Sequence, residues 1–364
     1  MAASMTDQPF VYTANPGRVL FGFGTREKAA EEARLLGAGQ VLVLTTPHQA
    51  KLGDEMLDRL GRLGSGLFSE AAMHTPVSVT EKALAHLQET GADCLLAAGG
   101  GSTTGLAKAL ALRTGLPQIA LPTTYAGSEM TPILGQTENG VKTTQRTLKV
   151  LPQTVIYDVE LTMGLPAGLT LTSGINAMAH AVEALYAENR NPIIDQMSET
   201  GIKALFAALP VLQDKPQDRE ARWQALYGAW MCGVALGSVG MALHHKICHT
   251  LGGSFDLPHA ETHTVMLAHT AAFNAPAARQ LDRLGELLAG QPMGEAIFDL
   301  VAACGGPTSL AGLGLTEADL DKAADLAVAN PYFNPRPFNR ADIRALLQQA
   351  YAGQRPQTGA RQGG

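Results

Sequence analysis

The sequence predicts an α/β fold in two parts, an N-terminal parallel-sheet domain followed by an all-helical C-terminal domain. Three observations lead there. Between residues 18 and 158, short apolar runs alternate with amphipathic segments, as in a mostly parallel sheet covered by helices. Beyond Leu161 the β-type runs stop and alanine- and leucine-rich segments take over, as helices require. Gly164, Pro166 and Gly168 punctuate the change. The domains are therefore expected at residues 1–162 and 163–352, with the Gly-, Gln- and Arg-rich residues 353–364 as a disordered tail.

The strands are expected at residues 18–22, 40–45, 93–98, 118–122 and 154–158. Between them, residues 26–36 and 79–90 place leucine and alanine at helical spacing with charges on the other face. Gly22-Phe23-Gly24 is too short for a dinucleotide fingerprint and reads as a turn. In the second half, helices are expected at residues 173–187, 192–209 and 220–250.

Composition narrows the function. The chain has 364 residues, of which 46% are hydrophobic, enough to fill two cores. A net charge of −6 with no lysine or arginine run gives no electrostatic reason to expect nucleic acid or an anionic membrane. A small-molecule partner is expected instead. Cys94, Cys232, Cys248 and Cys304 form no CxxC pair and read as free thiols of a reducing, cytoplasmic compartment. The N-terminus has no pattern of a signal or transit peptide. Residues 225–243 are uncharged and long enough to span a bilayer, but Gly228, Gly233, Gly237 and Gly240 suit a helix packed closely inside a core.

Two strand ends carry chemistry. The strand at 93–98 runs into Gly99-Gly100-Gly101-Ser102-Thr103-Thr104-Gly105 and then an apolar helix. Glycines at such a turn expose backbone N–H groups, and the helix N-terminus adds positive potential, which makes a diphosphate cradle. A tight βα turn without a ligand is the plainer alternative. A triphosphate loop is disfavoured, because Lys108 is not followed by the Ser or Thr that would hold magnesium. The strand at 118–122 ends in Thr123-Thr124-Tyr125-Ala126-Gly127-Ser128-Glu129, at the edge where open α/β sheets bind ligands.

The helical half carries the histidines. Asn176 and His180 are four residues apart and share a helix face, and His245 and His249 repeat that spacing. His259 follows a loop, and His244, His263 and His269 crowd the same region. A lone histidine is usually structural. Two such pairs plus a loop histidine are what a chain uses to aim imidazoles at one point.

These residues resemble the iron-containing alcohol dehydrogenase family, a relative of glycerol dehydrogenase and dehydroquinate synthase, over nearly the whole chain. Gly99-Gly100-Gly101-Ser102 resembles the family's diphosphate loop, residues 122–129 its second cofactor loop, and His245-x3-His249-x9-His259 its histidine signature. The resemblance implies a Rossmann-like first domain in a dehydroquinate synthase-like architecture, NADH or NADPH as cofactor, and a homodimer. The cofactor contacts it implies are Thr46, Gly99, Gly100, Gly101, Ser102, Thr123, Thr124, Ser128 and Lys149. Thr45-Thr46-Pro47 offers no carboxylate to read the adenosine ribose, so either nicotinamide is expected to serve. Metal-dependent members use one Asp and three His, which map onto Asn176, His180, His245 and His259. The Asp position departs from the pattern, and no metal is expected.

Residues 99–108, 122–129 and 135–144 resemble more narrowly the maleylacetate reductase branch. This implies reduction of maleylacetate, and of chloro-substituted maleylacetates, to 3-oxoadipate in aromatic-compound breakdown. Hydride addition to the alkene of this enone leaves an enolate, less basic than an alkoxide, which imidazole donors can stabilise. The resemblance makes His249 the expected proton donor, with His245 and His180 orienting the substrate and Tyr332 a further candidate. Asn176, His259 and Lys246 join them as expected substrate contacts. A dicarboxylate also needs cations, and Lys142, Arg146, Lys246 and Arg336 are available. Two other readings stand beside this one: a metal-dependent alcohol dehydrogenase with Asn176 as a neutral ligand, and a nucleotide-binding protein without turnover.

Overall fold

The computed structural model describes residues 10–358 except Pro16, Asn139 and Pro331, and the side chains of Val141 and Lys142 are not among those described. The expectations for the extreme N-terminus, for residues 359–364 and for the Lys142 side chain lie outside the described residues. The chain divides into two units, Ala14–Leu165 and Pro166–Gly364, with residues 10–13 joined to the second.

The first unit runs β1 (Arg18–Gly22), α1 (Ala29–Leu35), β2 (Val41–Leu44), α2 (Ala50–Leu60), β3 (Gly64–Phe68), α3 (Val77–Thr90), β4 (Cys94–Gly99), α4 (Gly101–Thr114), β5 (Gln118–Pro122), β6 (Ile133–Glu138), β7 (Val141–Arg146) and β8 (Thr154–Asp158). Six strands form one parallel sheet in the order β1-β8-β5-β4-β2-β3. Strands β2, β4, β5 and β8 are buried throughout, because both faces of a parallel sheet are covered. Alternate residues serve opposite cores: Val41, Val43, Leu96 and Ala98 join α1 and α2, whereas Leu42, Leu44, Leu95 and Ala97 join α3 and α4.

Two features were not expected from the sequence. Strand β3, Gly64-Ser65-Gly66-Leu67-Phe68, is a half-buried edge strand whose glycines mask its pattern. Strands β6 and β7 form an antiparallel hairpin of polar residues; the Asn-Gly pair between them is a hairpin signal in the sequence.

The second unit is helical among its described residues: α5 (Ala167–Ala184), α6 (Pro192–Asp214), α7 (Arg219–Ser238), α8 (Leu243–Phe255), α9 (His259–Asn274), α10 (Arg279–Ala289), α11 (Met293–Ala303), α12 (Asp319–Val328) and α13 (Arg340–Tyr351). Helix α5 is the buried axis and packs on α6, α7 and α9. The single helix expected at residues 220–250 is two, α7 and α8, bent by 94°. The bend has a local cause. The Glu183 carboxylate accepts the backbone N–H groups of Ala242 at 3.0 Å and His244 at 2.7 Å, so it caps a new helix start. No single described helix is long and apolar enough to cross a membrane.

The described part of the expected disordered tail is tied down. Arg355 pairs with Asp299 at 2.8 Å and reaches Glu295 and Gln291, anchoring its segment to α11. An arginine among Gly and Gln gave no sequence sign of these partners.

Candidate active site

In the sheet unit, β4 ends at Gly99 and α4 opens at Gly101. A Cβ on Gly99 would stand 2.3 Å from Thr103 Oγ1 and 2.8 Å from Gln49 Oε1, so any larger residue there would displace those side chains. A Cβ on Gly100 would stand 3.0 Å from Thr124 Oγ1, so the two candidate loops lie against each other. The Thr123 N–H donates to Gly99 O at 3.2 Å. Gln49 Nε2 donates to Thr123 Oγ1 at 2.9 Å, and the Thr46 hydroxyl donates to Gln49 Oε1 at 3.2 Å. Thr46, Gly99, Gly100, Thr123 and Thr124 thus meet at one corner, beside the first turn of α4 with Gly101 and Ser102. A helix N-terminus of this kind suits an anion. Gln49, which holds the corner together, belongs to no sequence motif. Lys149 is exposed on a short turn, Leu148–Val150, that packs on α4.

Lys108 serves that corner from beneath. Its fully buried ammonium donates to Ser128 O at 2.6 Å, Thr131 O at 2.7 Å, Ile133 O at 2.8 Å and Thr131 Oγ1 at 2.9 Å. Helix α4, which follows the first loop, is thereby pinned to the second. Burial pulls the Lys108 pKa down to about 7, and Glu129 opposes that pull. Glu129 is itself buried and accepts the Tyr157 hydroxyl at 2.8 Å; burial pushes its carboxyl pKa up.

In the helical unit, α5 buries Asn176, His180 and Glu183. Glu183 Oε2 lies 2.6 Å from His245 Nδ1. A carboxylate only accepts, so His245 carries its proton on Nδ1 and turns a bare Nε2 outward when neutral. That Nε2 is buried without a hydrogen-bond partner, as are Asn176 Oδ1 and His180 Nδ1. Glu183 was missed by sequence reasoning. Its signal was present, since it is the one carboxylate in an otherwise uncharged buried helix and lies three residues beyond His180.

The imidazoles are contiguous. The His245 ring centroid lies 5.3 Å from His180, 5.0 Å from His263 and 5.9 Å from His249, and His259 lies 4.5 Å from His263 and 6.4 Å from His249. His180 and His245 are buried, whereas His249 and His259 are exposed on the helical unit. Burial, and then the neighbouring His245, hold His180 well below the usual imidazole range. Tyr332 adds a hydroxyl without a partner, its pKa pushed up by burial and by Glu183. Lys246 Nζ lies 5.8 Å from the centre of the Tyr332 ring.

Two expectations need correction. His269 stands outside the cluster: its ring faces Phe298, and burial pulls its pKa down to about 4. Arg336 is committed elsewhere, donating to Phe273 O at 2.9 Å and stacking on the Phe273 ring at 4.2 Å. Arg146 belongs to β7 of the sheet unit, and within the helical unit Lys246, on α8 with His245 and His249, is a candidate cation.

The donors Asn176, His180, His245 and His259 bear on a metal in two ways. Their unpartnered acceptors are what a cation uses. Yet the amide of Asn176 supplies no negative charge. Among the described residues, the His, Cys and carboxylate donors that gather in a group of three within 4.8 Å of one another are those of His244, Cys248 and His263.

Comparison with known proteins places these features in a family. Residues 16–159 match the iron-containing alcohol dehydrogenase profile, and residues 170–351 match that of the C-terminal region of the Fe-containing alcohol dehydrogenase family. A maleylacetate reductase from Rhizobium sp. (strain MTP-10005) is 58% identical over 96% of this chain and 100% of its own length. Maleylacetate reductase 1 from Rhodococcus opacus is 52% identical, over 95% of this chain and 98% of its own. The crystal structure of the Agrobacterium tumefaciens maleylacetate reductase superposes with a TM-score of 0.94 at 57% identity, covering 96% of this chain and 100% of that one.

Proposed function

The chain belongs to the Fe-containing alcohol dehydrogenase family, and from that premise we propose that it reduces maleylacetate to 3-oxoadipate with NADH or NADPH. The observation that carries the reading is the buried Glu183–His245 pair within a contiguous set of imidazoles, in a chain 58% identical to a maleylacetate reductase.

Reduced nicotinamide supplies a hydride when bound. The hydride enters the alkene carbon that bears the carboxylate, and the electron pair of the double bond moves onto the ketone oxygen as an enolate. Electrons then return to carbon, and a proton adds at the neighbouring position. One hydride and one proton balance the reduction. His249, exposed at the edge of the cluster, delivers that proton and is recharged from solvent. His245 is fixed in orientation by Glu183, and with His180 and Asn176 it positions the substrate. Lys246 and His259 take its carboxylates.

Maleylacetate-dependent oxidation of NADH tests this directly, with simple aldehydes alongside. Turnover of maleylacetate and not of aldehydes is expected; the reverse preference would make the chain a carbonyl reductase. Chloro-substituted maleylacetates belong to the proposed range, because the electron-withdrawing chlorine favours hydride addition. The absence of a carboxylate in Thr45-Thr46-Pro47 supports turnover with both nicotinamides, at efficiencies within roughly a thousandfold of each other. Exposed Phe10 and Val11 support a homodimer, which light scattering checks.

A second reading, a metal-dependent enzyme, draws on the unpartnered Asn176 Oδ1 and His245 Nε2. In that case Asn176, His180, His245 and His259 would hold the ion.

A further inference from the structure

We propose that Thr270, which lies outside the set of substrate contacts, sets the hydrogen-bond polarity of the histidine cluster through a chain of fixed imidazole tautomers that makes His263 an acceptor. The functional half of the proposal rests on the cluster being the active site. His244 and His263 are both 0% exposed. His244 Nε2 lies 2.8 Å from His263 Nδ1, and His244 Nδ1 lies 3.0 Å from Thr270 Oγ1. Among the described residues no carboxylate side chain pairs with either ring, and rings buried in this way stay neutral. Each therefore carries one N–H.

Two proton arrangements fit these distances. In the first, the Thr270 hydroxyl donates to Met266 O at 3.0 Å or Leu267 O at 3.2 Å. His244 Nδ1–H then donates to Thr270 Oγ1, and His263 Nδ1–H donates to His244 Nε2. In the second, every proton is reversed: Thr270 donates to His244, and His244 donates to His263. The reversal gives up the bond from the hydroxyl to the helix carbonyl. The first arrangement is favoured about tenfold, the worth of one hydrogen bond.

The consequence falls on His263 Nε2, which is buried without a hydrogen-bond partner. It holds a lone pair, so it accepts and does not donate. Its ring neighbours are His259 at 4.5 Å and His245 at 5.0 Å. The Nδ1–H of His245 is already engaged by Glu183. His259, one turn earlier on α9, carries the nearer of these two rings. A lone pair at this point receives a hydrogen bond from the His259 ring when that ring turns toward it, or from a bound group, so His263, His244 and Thr270 are positioning residues.

Nitrogen-15 labelling of the histidines reads the tautomers of the intact enzyme, because a bare ring nitrogen resonates far from a protonated one. In the wild type, His263 is expected to be protonated at Nδ1 and bare at Nε2. Thr270→Val removes the acceptor of His244 Nδ1–H and should reverse both rings, and Thr270→Ser should keep the wild-type pattern. The kcat/KM for maleylacetate should fall about five- to tenfold in Thr270→Val and recover in Thr270→Ser, with the KM for NADH unchanged. A protonated His263 Nε2 in the wild type or in Thr270→Ser overturns the proposal, even if Thr270→Val does not fold. Reversed tautomers with unchanged kcat/KM overturn its functional half. Absence of maleylacetate-dependent NADH oxidation in the wild type would instead remove the functional reading and leave the tautomer assignment standing.

Discussion

Lys108 and the histidine cluster are both polar groups buried inside their units, and they are buried in opposite ways. The Lys108 ammonium meets four acceptors between 2.6 and 2.9 Å. The cluster leaves Asn176 Oδ1, His180 Nδ1, His245 Nε2, His263 Nε2 and the Tyr332 hydroxyl with none. Folding does not leave buried polar atoms unpaired without cost, about 1–3 kcal/mol each. The satisfied lysine therefore builds structure, whereas the unsatisfied cluster keeps its hydrogen-bonding capacity for a ligand. Substitutions in the cluster should cost rate more than stability, and substitution of the lysine should cost stability first.

The largest effect is expected at His249. Replacing it with Asn should lower kcat by about 10²–10⁴-fold, the usual worth of a positioned general acid. The melting temperature should hardly move, because the side chain is exposed. Stopped-flow single turnovers and a thermal melt on the same sample check both halves. Wild-type activity would transfer the proton to His245, His180 or Tyr332.

Lys108→Met tests the other side of the comparison. It strips the loop carbonyls of their donor and leaves Glu129 buried without its neighbouring cation. A loss of about 3–5 kcal/mol is expected, as when one partner of a buried pair is removed. Urea unfolding measures it, and the KM for NADH should rise as the second loop loosens. Unchanged stability with a lower kcat would turn Lys108 from a structural residue into a functional one.

The sequence made these two regions legible to different degrees. The buried strands were readable because β2, β4, β5 and β8 are nearly continuous apolar runs, and His180, His245 and His249 because helical spacing puts pairs on one face. Glycine-rich β3 and the polar β6–β7 hairpin escaped that periodicity. Glu183 and Gln49 escaped because their work is done across the chain: Glu183 caps a helix 59 residues on, and Gln49 grips Thr123, 74 residues away. The same holds for the break between α7 and α8. The uncharged sequence reads as one helix, and only the carboxylate from α5 shows why a second one starts.

His269 gives a smaller effect and a structural counterpart within α9 itself. Its pKa of about 4 lies below the ordinary value near 6.5. Above the ordinary value the ring is neutral in both the folded and unfolded states, so it contributes nothing. As pH falls from about 6.5 to about 4, the unfolded chain binds a proton that the fold refuses, and stability drops. The drop totals roughly 3 kcal/mol. His269→Leu should flatten that part of the acid limb in urea titrations between pH 7 and pH 4, with little change in kcat at pH 7. An unaltered acid limb would mean that the imidazole charges freely in the fold.

The smallest effect expected is none at all, on removing metal. Asn176 offers a neutral amide where a divalent cation gains from a carboxylate. An enolate, moreover, needs less charge stabilisation than an alkoxide and can be held by hydrogen bonds. Three imidazoles alone do bind zinc in open sites, so the comparison has to be made on the protein. Dialysis against a strong chelator should leave kcat/KM for maleylacetate unchanged. Asn176→Asp should raise the affinity for zinc or ferrous iron, measured by metal titration, without raising the rate. Loss of activity on chelation and its return with zinc or ferrous iron would reassign the unpartnered atoms of the cluster: Asn176 Oδ1 and His245 Nε2 would then be waiting for an ion and not for the substrate.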